Sequence, residues 1–74
     1  MKEMFNELDV VVLKKPLPEA TIPVSSVGTI VMVHDASAQA YEVEFFDDHH
    51  KTIDVCTVTG DDYLELKFAY RERK

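Results

Sequence analysis

The chain has 74 residues, with 14 acidic against 8 basic side chains, a formal net charge of −6 and a single cysteine. That length admits one domain. The lone Cys56 excludes an intramolecular disulfide and any zinc site built on paired cysteines. A chain this short buries only about 60–65% of the surface that its unfolded form exposes. Nearly every apolar residue is then needed for a core, which leaves little for a deep catalytic pocket, so a non-enzymatic protein is expected.

Residues 1–8 read as an N-terminal segment, residues 9–68 as the folded body and residues 69–74 as a charged tail. The opening MKEMFNEL lacks the basic start and apolar run of a signal peptide. It makes either one turn of helix or a cover that packs Phe5 and Leu8 over one end of the body. No stretch approaches the roughly 18 apolar residues of a membrane span. With a lone thiol, which suits a reducing compartment, this gives the expectation of a cytoplasmic protein without membrane contact.

Asp9 to Leu13 is a strand by composition. Lys15 to Ser26 carries all three prolines, Pro16, Pro18 and Pro23. Proline cannot donate to a ladder, so this stretch is expected as a long surface loop, a length often tied to function. Gly28 to His34 is rich in β-branched residues and free of proline, which predicts a strand with Val31 and Val33 on its inner face. Gly28 itself either takes a positive φ or lets another backbone approach. It carries no phosphate-loop signature, since neither a second glycine nor a Lys-Ser/Thr pair follows.

Asp35 to Gln39 breaks the pattern as a hairpin loop. Tyr41-Glu42-Val43-Glu44-Phe45 then alternates strictly between apolar and acidic residues. Strand side chains alternate between faces, which puts Tyr41, Val43 and Phe45 inward and both glutamates in water. Asp47 to Lys51 is a polar turn, and Thr52 to Val58 a β-branched strand. Thr59 to Asp62 reads as turn chemistry, a single 3₁₀ turn. Leu64 to Phe68 is the last strand. Five short strands point to an all-β, small five-stranded SH3-like barrel, which removes sheet edges. The alternative is an open meander completed by dimerisation, so a homo-oligomer stays open.

Candidate chemistry is sparse. Asp47, Asp48, His49 and His50 could bring two imidazoles and two carboxylates to a metal, but adjacent residues in an extended turn point apart. A solvated turn is the expectation, with no metal and no cofactor. A reactive thiolate needs a cation or helix N-terminus nearby. Cys56 sits among β-branched neighbours and reads as a structural thiol. No motif links the hydroxyls, acids and histidines into catalytic machinery. Tyr41, Phe45, Tyr63, Phe68 and Tyr70 would offer stacking for bases, yet Tyr41 and Phe45 are core by alternation. Between Glu42 and Asp62 stand seven acids and one base, Lys51. Such a surface repels phosphate and disfavours nucleic acid.

The series Asp9-Val10-Val11-Val12-Leu13, a proline-containing loop, Val27-Gly28-Thr29-Ile30-Val31, Tyr41-Glu42-Val43-Glu44-Phe45 and a strand ending at Thr57-Val58-Thr59 resembles a small bacterial family labelled domain of unknown function 4926. More distantly it is similar to KOW-type and SH3-like barrels. The likeness covers roughly Leu8 to Leu66 and implies mainly the fold. Members resemble one half of small two-gene cassettes, which implies an antitoxin-like or immunity-like partner of a neighbouring-gene protein. Met32 stands where related sequences tend to carry an outward acid, and so joins the candidate contact patch.

The reading is a protein–protein interaction module for a basic partner. Its contact residues are Pro16, Pro18, Glu19 and Ile22 in the proline loop, with Met32, Glu42, Glu44, Asp47 and Asp48. A KOW-like nucleic-acid or ribosome-associated module acting through Lys67, Arg71, Arg73 and Lys74 is the alternative. A small accessory subunit of a larger enzyme is a third.

Overall fold

A computed structural model describes residues 5–35, 37–60 and 62–69. Five strands follow one another: β1 (Val10–Leu13), β2 (Val27–Asp35), β3 (Ala40–Phe46), β4 (Thr52–Thr59) and β5 (Leu64–Phe68). They form one antiparallel sheet in the order β4-β3-β2-β1-β5. The all-β, five-stranded expectation and the long proline loop after the first strand are met. The sheet wraps barrel-like around its core but does not close by pairing: β4 and β5 are its two edges.

Alternation makes β3 the centre of the core. Tyr41, Val43 and Phe45 are fully buried, while Glu42, Glu44 and Phe46 lie half-buried on the other side. Val11, Leu13, Ile30, Val58 and Leu64 complete the buried set from the remaining strands. Gly28 stands opposite Phe45 in the ladder. A Cβ there would lie 2.7 Å from Val43 Cγ1 and 2.9 Å from Phe45 Cδ1. The glycine therefore serves close approach, and no positive φ is involved.

One strand face differs from expectation. Ile30, not Val31, is buried on β2, and Val31 is 40% exposed. Ile30 pairs with Val43 but Met32 pairs with Glu42, so Val31 is an extra residue in a β-bulge. A bulge shifts the inside–outside phase, so Val33 again packs against the core. The bulge receives the N-terminal segment: Leu8 N–H donates to Ile30 O at 2.7 Å, and Ile30 N–H to Asp9 O at 2.9 Å. Phe5 is buried and meets Tyr41 edge-on, ring centroids 5.4 Å apart, while its N–H donates to the Tyr41 hydroxyl at 3.2 Å. Phe5 thus covers the core, one of the two alternatives that the sequence left open. Leu8 does not: it has φ 73° and is 50% exposed.

Two further expectations change. The proline loop is not wholly a surface loop, because Ile22 is 5% exposed within the core and Leu17 and Ala20 pack against it. The stretch expected as a 3₁₀ turn is a bend at Gly60 (φ 95°) followed by a turn at Asp62–Tyr63, with Asp61 outside the described residues. A glycine at positive φ ends β4 by reversing the chain, which a 3₁₀ turn does not require. No helix among the described residues is long and apolar enough to cross a membrane.

Candidate interaction surface

The outer side of the sheet carries two kinds of residue. Toward one end, Met32 pairs with Glu42, and Glu42 and Glu44 share this side. These acids are engaged with neighbours. His34 Nε2 lies 2.7 Å from Glu42 Oε1, and Thr57 Oγ1 donates to the same oxygen at 3.2 Å. The His34 hydrogen bond, then that of Thr57, holds the Glu42 carboxyl below its ordinary range. Thr52 Oγ1 donates to Glu44 Oε2 at 2.6 Å.

Toward the other end the outer side turns apolar. Val12 pairs with Val27 and Val27 with Phe46, giving a cross-strand row. Beside this row lies a groove of about 720 Å³, lined by Val10, Val27, Phe46, Ile53 and Phe68 together with Asp47, Asp48, His50 and Lys67, whose Nζ lies 5.7 Å from the Phe68 ring centroid. Phe68 is 62% exposed and Ile53 38%. The Asp47 carboxylate accepts the N–H groups of His49 at 2.8 Å and Lys51 at 2.9 Å. Among the described residues no three His, Cys, Asp or Glu side chains are placed to hold a metal ion.

The expected contact residues therefore divide. Met32, Glu42, Glu44, Asp47 and Asp48 share one side of the sheet. Pro18 and Glu19 line a separate cleft against β4, and Pro16 is exposed in the loop before them. Ile22 leaves the set, since a side chain inside the core cannot meet a partner. Arg71, Arg73, Lys74 and Tyr70 lie outside the described residues. Cys56 is half-buried, and burial, followed by the charges of Asp54 and Glu42, pushes its thiol pKa up. That is the opposite of an activated nucleophile.

Sequence reasoning missed the apolar floor of the groove. Phe46 carried a signal: the alternation of Tyr41 to Phe45, continued one step, puts an aromatic ring on the acidic side. Phe68 and Ile53 carried none, because an apolar residue near a strand end reads equally as core.

Residues 7–64 match the family described as Domain of unknown function (DUF4926), and the chain belongs to it. No curated protein and no solved structure matches the chain.

Proposed function

We propose that this protein is a non-enzymatic interaction module that binds a basic protein partner across the outer side of its sheet. The groove floored by Phe46 and Phe68 carries this reading, with Asp47 and Asp48 outnumbering Lys67 among its lining residues. An exposed aromatic beside acidic residues suits a partner that inserts an apolar side chain and sets Lys or Arg against the acids. The net charge of −6 adds long-range attraction to such a partner and speeds encounter. A neighbouring-gene product held in an antitoxin-like or immunity-like pair is the specific form proposed.

The test is a binding titration of the purified chain with the product of the adjacent gene, at low and high salt. Phe68→Ala removes an exposed ring and should weaken binding at least about tenfold if the groove is the centre of contact. Asp48→Lys should slow association and flatten the salt dependence. A chain that ignores its neighbour's product, or binds it equally well in both variants, contradicts the reading.

A further inference from the structure

We propose that β4 accepts an extended basic segment of a partner protein as a sixth strand. The proposal rests on the reading of the chain as a module for basic partners, but uses a different surface from the groove.

The phase of the ladder shows which backbone groups β4 leaves open. Gly60 N–H donates to Gln39 O at 2.9 Å, which makes that facing pair a hydrogen-bonded one. Facing pairs alternate between bonded and non-bonded in an antiparallel ladder. Val58 and Cys56, two and four residues back, therefore turn their backbone groups to β3. Thr59, Thr57 and Val55 turn theirs away. Val55 confirms the phase, because its N–H is taken at 2.8 Å by the carboxylate of its own neighbour Asp54. Among the described residues no backbone hydrogen bond joins the loop at 15–22 to this edge.

The protections of β4 are confined to its first half, where Asp54 caps the Val55 N–H and the ladder is irregular opposite Phe45 and Phe46. The strand runs eight residues, TIDVCTVT, with no lysine and no proline. The opposite edge, β5, has five residues and carries Glu65 and Lys67. A cleft of about 480 Å³ lies between β4 and the loop residues Leu17 to Ala20, with Tyr63 in its lining.

Charge identifies the occupant. The ionised side chains lining the cleft are Glu19 and Asp54, both acidic. Lys15, close by, is already engaged: its Nζ lies 5.2 Å from the Tyr63 ring centroid and 3.9 Å from Asp62. A second copy of this chain would bring another net charge of −6, which disfavours self-pairing. An extended segment with Lys or Arg alternating with β-branched residues meets both needs. Its backbone pairs with Val55 to Thr59, and its cations displace Asp54 from the Val55 N–H and face Glu19. Strand addition of this kind draws affinity from main-chain bonds and specificity from alternate side chains.

The test uses the whole chain and a synthetic peptide of alternating Lys and Val, about ten residues long, enough to span β4. Amide shifts and hydrogen exchange are read residue by residue. The expected result is perturbation centred on Val55 to Thr59, with slowed exchange at Val55, Thr57 and Thr59. A version N-methylated on its central amides, which loses main-chain donors, and one with Glu for Lys, which reverses its charge, should each bind at least about tenfold more weakly. Binding that instead perturbs Phe46, Ile53 and Phe68 and ignores N-methylation overturns the β4 proposal while leaving the groove reading intact. Absence of binding at low salt overturns the β4 proposal alone, because the groove is judged on the neighbouring-gene product. Self-association through the same β4 amides also overturns it, making a second copy the occupant.

Discussion

Gly28 and Tyr41 set the tolerance of the core at the residue scale. The methyl group of Gly28→Ala would meet Val43 and Phe45 inside ordinary contact distance, and both neighbours are fully buried. Overpacking of this kind costs about 1–3 kcal/mol. Urea denaturation of Gly28→Ala should therefore show a lower midpoint with an unchanged slope; equal midpoints would mean that the two side chains yield freely. The sequence had left this glycine with two roles, positive φ or close approach. Only the cross-strand register, which places it opposite Phe45, decides between them. The inward set Tyr41, Val43 and Phe45 was legible because one strict alternation spelled it out. The bonds among His34, Glu42, Thr57, Thr52 and Glu44 were not, since they depend on the cross-strand register, which the two hairpin turns alone do not fix.

Strand identities were readable at the element scale; phase was readable in β3 but not in β2. β2 was visible in its β-branched run, but its bulge at Val31 depends on what the N-terminal segment bonds to Ile30. Composition carries no record of such a long-range contact. The proline loop shows the same limit. Three prolines correctly exclude a ladder, yet Ile22 between them reaches the core. Packing of Leu17, Ala20 and Ile22 makes the loop a cover over the part of the core that the unpaired edges leave open. Ile22→Ala should then cost about 2–5 kcal/mol, the range for a buried aliphatic truncated to alanine. Thermal or urea unfolding checks it, and a loss below about 0.5 kcal/mol, ordinary for a surface site, would show that the loop merely rests on the surface.

For the whole molecule, one small core leaves binding to surfaces, and the surfaces are of two kinds. The outer side of the sheet pairs an apolar groove with acids, and the β4 edge pairs open backbone with acids. On the proposed reading both would suit a basic partner, which a net charge of −6 attracts. The acidity was legible from the sequence at once. The open edge was not, because five strands are equally compatible with a closed barrel and an open sheet.

Amide hydrogen exchange along β4 of the free chain tests the central claim of an open, available edge most directly. Cys56 and Val58, facing β3, should exchange at least about tenfold more slowly than Thr57 and Thr59, facing outward, because exchange follows the loss of backbone bonds. Equal protection of all four amides would contradict the account, since the outer edge of β4 would then already be filled.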